Sequence, residues 1–115
     1  MPKNIREEIS ERLLELRDID AIGAGRASEV LVELSSLLGS INKECSDRRY
    51  IYSLKKIMLL DEHKTVAKAT TYGEGSNEYK DWSEAEEYRK AVIENIRSLK
   101  YYLRNSLEEQ RESTY

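Results

Sequence analysis

The polar stretch TYGEGSNEYKD, residues 71–81, joins two segments with heptad patterns, one basic and one acidic. Its glycines at 73 and 75 are typical of a loop between helices. Apolar residues recur at spacings of three and four from Val30 to Cys45 and again from Ala85 to Leu103, which predicts helices with coiled-coil seams. Two such helices joined by a short loop predict an antiparallel helical hairpin.

The sequence as a whole predicts an all-α fold with coiled-coil-like packing. The long antiparallel hairpin is expected over about residues 27–70 and 82–110, with an additional N-terminal helix at about 4–19. We expect residues 1–115 to form a single elongated domain, and the polar tail 108–115 to fray.

Cap residues and glycines predict where these helices start and break. Asn4 is expected to cap the first helix, and Asp81, with Glu84 at the capping-box position, is expected to cap the third. The first helix is expected to end at residues 20–26, which contain two glycines, and Gly39 is a second position where the central helix could kink or break.

Helix lengths predict which segments pair. Residues 27–70 would span about 65 Å and residues 82–110 about 43 Å, so the third helix is expected to pair with about residues 42–70 only. The N-terminal helix would then cover residues 27–41. Such pairs bury little surface, so we expect a homo-oligomer. The residues expected to mediate helix packing or oligomer contacts are Val30, Leu34, Leu37, Ile41, Val92, Ile96, Leu99 and Leu103.

Composition narrows the class of protein. Charged residues make up 36% of the chain, and no apolar run is long enough for a membrane-spanning helix, so we expect a protein without membrane association. The N-terminus lacks the apolar core of a signal peptide, and Cys45 is the single cysteine. These features predict a cytoplasmic protein.

Charge is unevenly distributed along the chain. Residues 43–70 carry seven basic and four acidic side chains, whereas residues 1–42 and 71–115 each have a net charge of −3. One interpretation is that the basic helix exchanges salt bridges with its acidic neighbour and so fixes their pairing. The other is that the basic segment binds a phosphate backbone.

Aromatic residues near the loop favour the second interpretation. Tyr72, Tyr79 and Trp82 lie close in sequence to Lys68 and Lys80, and aromatic rings interleaved with cations are typical of single-strand binding. Alternatively, Tyr79 and Trp82 cover the apolar end of the hairpin. The candidate nucleic-acid-binding residues are Lys55, Lys56, Lys64, Lys68, Tyr72, Tyr79 and Lys80.

The sequence offers little for catalysis, metals or cofactors. His63 is the only histidine, and Asp61, Glu62 and His63 are adjacent, so they point to different faces of a helix. The glycines at 73 and 75 match neither a Walker motif nor a dinucleotide fingerprint. We therefore expect a protein that is not an enzyme and needs no cofactor.

The segment KTVAKATTYG, residues 64–73, is followed by a polar loop and a long helix, and it resembles the phage recombination mediators of the UvsY-like family over about residues 50–105. The resemblance implies single-stranded DNA binding, oligomerisation, and loading of a recombinase onto DNA coated by a single-strand-binding protein. It also implies that Lys64, Lys68 and Tyr72 touch phosphate and base.

Two functions follow as expectations, beside a third possibility of a purely structural bundle inside a larger assembly. The first is a phage-type DNA recombination or replication accessory protein that binds single-stranded DNA. The second is an acidic helical protein–protein module, such as an adaptor, an assembly factor or an inhibitor of a nucleic-acid-binding protein. The acidic runs at 84–87 and 108–112 suit the second function, because an acidic helix can mimic phosphates.

Overall fold

The computed structural model describes residues 3–114, with side chains for residues 3–111. Its helices, in chain order, are α1 (Ile5–Glu15), a 3-10 turn (Leu16–Asp18), α2 (Ile19–His63), α3 (Val66–Glu74) and α4 (Asn77–Thr114). No strand occurs within residues 3–114, so the predicted all-α class is confirmed, with α2 and α4 forming the antiparallel hairpin. None of the helices in this range has the length and apolar content needed to cross a bilayer.

The start of α1 is the predicted cap. The side-chain oxygen of Asn4 accepts a hydrogen bond from the backbone N–H of Glu7 at 2.9 Å, and the Glu7 carboxylate accepts one from the Asn4 amide at 3.2 Å. These bonds satisfy a helix-end donor that would otherwise lack a partner. The prediction for Asn4 is confirmed.

The chain reverses direction at Gly23, whose φ of 76° and ψ of 165° interrupt α2. This backbone region is accessible almost only to glycine. Beyond Gly23, α2 returns along α1, since Arg26 binds Glu15 and Arg12 binds Glu33. The predicted break before residue 27 is confirmed, whereas Gly39 lies inside α2 without interrupting it.

The predicted loop at residues 71–81 is wrong. Residues 71–74 belong to α3 and residues 77–81 to α4, so only Gly75 and Ser76 connect the two helices. Ser76 performs the cap that Asp81 was expected to provide: its hydroxyl accepts from the N–H of Tyr79 at 3.2 Å, and its carbonyl accepts from the N–H of Lys80, also at 3.2 Å. Asp81 lies inside α4, where its carboxylate is 4.0 Å from the guanidinium of Arg48.

The central helix also ends earlier than predicted. Residues 27–70 do not form one helix, because α2 stops at His63 and α3 begins at Val66. Lys64 between them has a φ of 65°, in the left-handed region. Thr65 caps α3 by accepting from the N–H of Lys68 at 3.3 Å.

Because the connection before α4 is shorter and α2 ends earlier than predicted, α4 pairs differently from the prediction. The chain forms two compact units, one of residues 1–40 and 90–115 and the other of residues 41–89. Within the second unit α4 starts level with Tyr52 rather than with residue 70, since Tyr79 and Trp82 both contact Tyr52. The prediction that the third helix pairs with residues 42–70 only is therefore wrong, because residues 90 onward group with residues 1–40.

The C-terminal tail remains helical where it is described. α4 extends to Thr114, so residues 108–114 are helical, while their fraying stays a prediction and Tyr115 lies outside the described residues.

Most of the predicted seam residues form the core of the chain itself. Val30, Leu34, Ile41, Val92, Ile96 and Leu99 are all buried, as is Cys45. Leu37 and Leu103 are half-buried. These side chains pack within one chain, and Ile96, at 9%, is the most exposed of the buried six.

Candidate nucleic-acid interface

The end of α2 and the helix α3 form a corner that carries a histidine, two lysines and a tyrosine. We define the α2–α3 corner as His63, Lys64, Lys68 and Tyr72. His63 is the last residue of α2, and Lys64 makes the turn. Lys68 and Tyr72 are four residues apart on α3, so they lie on the same face of that helix.

The rings of His63 and Tyr72 stack across this corner. Their centroids are 4.3 Å apart and their planes differ by 9°. Tyr72 nevertheless keeps 57% of its surface exposed. The stack therefore fixes the tyrosine ring while leaving much of it open to solvent.

The lysines predicted to bind nucleic acid have no acidic partners among residues 3–111. Lys64, Lys68 and Lys80 are exposed, whereas Lys55 and Lys56 are half-buried. Among the side chains of residues 3–111, no carboxylate lies within ion-pair distance of any of these five lysines. The basic segment does engage its neighbour through Arg48, which pairs with Asp81. Salt bridging between the two helices therefore leaves these lysine charges available.

Two acidic residues moderate the charge of the corner. Asp61 and Glu62 immediately precede His63 on α2 and are exposed. Their charges equal in number those of Lys64 and Lys68, so the local field is weaker than the lysines alone would create.

Tyr79 belongs to a second, inward-facing group, which we call the aromatic cluster: Tyr52, Tyr79 and Trp82. Tyr52 is buried and stacks on Trp82 with 5.5 Å between ring centroids, and Tyr79 contacts both rings at 5.2 and 5.9 Å. The indole Nε1 of Trp82 is buried and has no acceptor among the described residues. This arrangement fits the interpretation that Tyr79 and Trp82 cover the apolar end of the hairpin.

Tyr52 also joins α3 to α2. A Cβ added at Gly73 would lie 3.4 Å from the Tyr52 ring and 3.4 Å from Cγ of Lys56, so α3 approaches α2 at a residue without a side chain. The Lys56 ammonium lies 5.6 Å from the Tyr52 ring centroid. Burial raises the pKa of the Tyr52 hydroxyl, and the nearby Glu74 raises it further.

Cys45 lies in the same unit and is buried against α4. Burial, followed by the nearby carboxylate of Glu86, raises the pKa of its thiol to about 11. Glu86 also binds Arg89 at 3.0 Å, and this bond raises the pKa of the arginine. A thiol held protonated in this way is a packing residue rather than a nucleophile.

The side chains that could bind metal are dispersed. Among residues 3–111, no three His, Cys, Asp or Glu side chains are grouped closely enough to hold a metal ion.

The predicted site residues thus divide between two places. Lys64, Lys68 and Tyr72 come together at the α2–α3 corner, whereas Tyr79 joins the aromatic cluster with Lys56 at its edge. None of the contacts among described residues connects Lys55 or Lys80 to the corner. Two residues of these places were not predicted. His63 of the corner looked isolated in the sequence, whereas Tyr52 of the aromatic cluster lies in a heptad series with Cys45 and Leu59 that could have identified it.

Comparison with known proteins adds no relative: no protein-family model, curated protein or solved structure gives a significant match to this chain.

Proposed function

We propose that this chain is a non-enzymatic accessory protein of phage-type DNA recombination or replication, which binds single-stranded DNA and assists a recombinase. The observation that carries the proposal is the α2–α3 corner. There the exposed ring of Tyr72 stacks on His63, and Lys64 follows His63 in the chain while Lys68 shares the face of α3 that carries Tyr72. Neither lysine has an acidic partner among residues 3–111. Fixed aromatic rings beside cations bind single strands of any sequence.

In this proposal each residue of the corner has one role. The exposed surface of Tyr72 stacks on a base, and His63 supports the opposite face of the ring. Lys64 and Lys68 contact the flanking phosphates. Because Asp61 and Glu62 lie beside the corner, one copy binds weakly and with a small salt dependence.

Weak single sites are consistent with the expected homo-oligomer. Several copies binding one strand would raise the overall affinity by orders of magnitude without any new contact. A recombinase or a single-strand-binding protein is the proposed protein partner, and the host cytoplasm is the proposed location.

The test is binding of fluorescein-labelled oligo-dT, followed by anisotropy from about 50 mM salt upward. The protein is expected to bind at low salt, and Lys64→Glu/Lys68→Glu is expected to abolish binding. The matched control is Lys90→Glu/Lys100→Glu, which makes the same charge change at two exposed lysines of α4. Absence of binding at the lowest salt, or equal loss in both double variants, would exclude the corner as the DNA site.

A second candidate function is a protein–protein module. It is favoured by large apolar side chains that α2 exposes in the second unit: Tyr50, Ile51, Leu54, Ile57 and Met58 are between 42% and 65% exposed. Within the acidic run at 84–87, Glu86 is bound to Arg89, so this carboxylate is not available to mimic a phosphate. Recovery of a nuclease or DNA-binding protein by pull-down, with no affinity for oligo-dT, would favour this function over the first.

A further inference from the structure

A groove of about 300 Å³ lies between α2 and α3, on residues distinct from the α2–α3 corner. Its walls include Lys56, Ile57 and Leu60 of α2 and Val66, Ala69 and Thr70 of α3. This volume is at the lower end of the range for ligand pockets, and it is enough for one large apolar side chain.

The walls of the groove expose apolar surface that the chain does not cover. Ile57 is 64% exposed and Val66 is 70% exposed. On α2 the apolar surface continues outward through Leu54 and Met58, which are 46% and 62% exposed and lie within one helical turn of Ile57. Contiguous apolar surface of this kind on a folded chain marks an interaction site.

The charge around the groove indicates the chemistry of its occupant. Lys56 is the one charged side chain in its walls, and no carboxylate among residues 3–111 lies within ion-pair distance of its ammonium. Lys55 is its neighbour in sequence, and residues 43–70 contain seven basic and four acidic side chains. An apolar groove whose one charged wall residue is a lysine is complementary to a segment that is apolar on one face and acidic beside it.

The same charges disfavour a second copy of this chain as the occupant of the groove. In a two-fold symmetric dimer the same patch lies on both sides of the interface, so Lys55 and Lys56 of both copies would be brought into one interface. Like charges brought together in an interface oppose association.

We propose that this groove binds an acidic amphipathic segment of a partner protein. A large apolar side chain of the segment enters between Ile57 and Val66, and a neighbouring carboxylate pairs with Lys56. The inference does not depend on DNA binding by the corner, because the two sites share no residue.

The probe is a fluorescein-labelled helical peptide of about twelve residues, or three helical turns, built from leucine on one face and glutamate elsewhere. Two control peptides replace the leucines with alanine or the glutamates with lysine. Anisotropy titrations with the full chain are expected to detect binding of the leucine–glutamate peptide and at least about tenfold weaker binding of each control, the loss expected for one apolar or charged contact.

The chain offers a matched pair of variants. Ile57→Ser/Val66→Ser removes the apolar walls of the groove and is expected to weaken peptide binding by about tenfold or more. Leu14→Ser/Val32→Ser removes side chains that are 59% and 70% exposed in the other unit, and it is expected to leave binding unchanged. Since all four side chains are largely exposed, both variants are expected to fold, and circular dichroism checks this.

The outcomes separate this inference from the proposed function. Lys64→Glu/Lys68→Glu is expected to retain the peptide, and Ile57→Ser/Val66→Ser is expected to retain oligo-dT. Equal binding of the alanine peptide, or full peptide binding by the groove variant, would overturn the inference. So would light scattering that shows self-association lost in the groove variant, which would assign the groove to a second copy. Displacement of the peptide by oligo-dT in the Lys64→Glu/Lys68→Glu variant would assign it to DNA.

Discussion

The ring of Tyr72 stacks on the imidazole of His63, with 4.3 Å between centroids and 9° between planes, although the two residues belong to different helices. The contact ties α3 to the end of α2 across a turn of two residues, Lys64 and Thr65. A ring held in this way loses little further freedom when a base stacks on it, which is the advantage of a preorganised site.

We therefore expect Tyr72→Leu to lower the affinity for oligo-dT while Tyr72→Phe retains it. Loss of one base–aromatic stack costs about 1–3 kcal/mol. Anisotropy titrations measure the affinity, and thermal unfolding of both variants checks the fold, since Tyr72 is more than half exposed. A leucine variant that binds as tightly as the original chain would limit the His63 contact to a packing role.

Lys64 is a residue for which stability and binding are expected to respond in opposite directions. Its φ of 65° is strained for a residue with a side chain, so Lys64→Gly is expected to stabilise the fold by roughly 0.5–1 kcal/mol. The same change removes one of the two lysines of the corner and is expected to weaken oligo-dT binding. Lys64→Ala separates the effects, because it removes the charge but keeps the strain. Urea unfolding that gives alanine and glycine variants equal stability would contradict this account.

Gly23 sets the turn that returns α2 along α1. A side chain in its conformation is expected to cost about 1–3 kcal/mol, so Gly23→Ala should lower the free energy of unfolding. Gly25→Ala is the matched control: a Cβ there meets no atom within 4 Å, and its φ is not in the left-handed region. It is expected to be neutral or to stabilise by up to about 1 kcal/mol, as alanine does in a helix. Equal urea midpoints for the two variants would show that residue 23 relaxes without strain.

The sequence predicted the features that depend on local spacing. Val30, Leu34 and Ile41 on α2, and Val92 and Leu99 on α4, belong to series in which apolar residues recur every three or four residues, and each of the five is buried. Such spacing places residues on one face of a helix whatever the helix packs against. The cap at Asn4 and the break at Gly23 were also predictable from local sequence, because each depends on the chemistry of the residue itself.

The features that were not predicted arise where the local sequence is compatible with more than one structure. Gly73 was interpreted as part of a loop, but it is a helical residue whose missing side chain admits Tyr52. Lys64 ends α2 with neither glycine nor proline to mark the position. Because α3 follows α2 there, α4 starts level with Tyr52, which is nearer the N-terminus of α2 than predicted. The pairing predicted from helix lengths therefore no longer holds. His63 belongs to the corner because it stacks on the ring of Tyr72, nine residues later and on another helix. Spacing rules for a single helix cannot predict such a contact.

Arg26 is the centre of an ion network that joins the two sides of the Gly23 turn. Its guanidinium binds Glu15 at 2.9 Å, Glu29 at 3.0 Å and Glu33 at 3.3 Å. The bond to Arg26 holds the pKa of the Glu15 carboxyl below its ordinary value of 4.5, although partial burial acts in the opposite direction. The carboxylate form is therefore favoured more in the folded chain than in the unfolded chain.

The sign of the pH effect follows from this lowered pKa. The network contributes stability above about pH 4.5 and loses it as the pH falls toward the folded-state pKa, because the unfolded chain then binds more protons. Glu15→Gln is expected to lower the Tm at pH 7, and the difference from the original chain is expected to shrink as the pH is lowered to about 3. Glu109→Gln, at an exposed position on α4, is the control and is expected to show little difference at either pH. Because other carboxylates also titrate, thermal unfolding by circular dichroism is compared between variants at each pH. A Glu15→Gln difference that stays constant to pH 3 would show that this carboxyl does not titrate against Arg26.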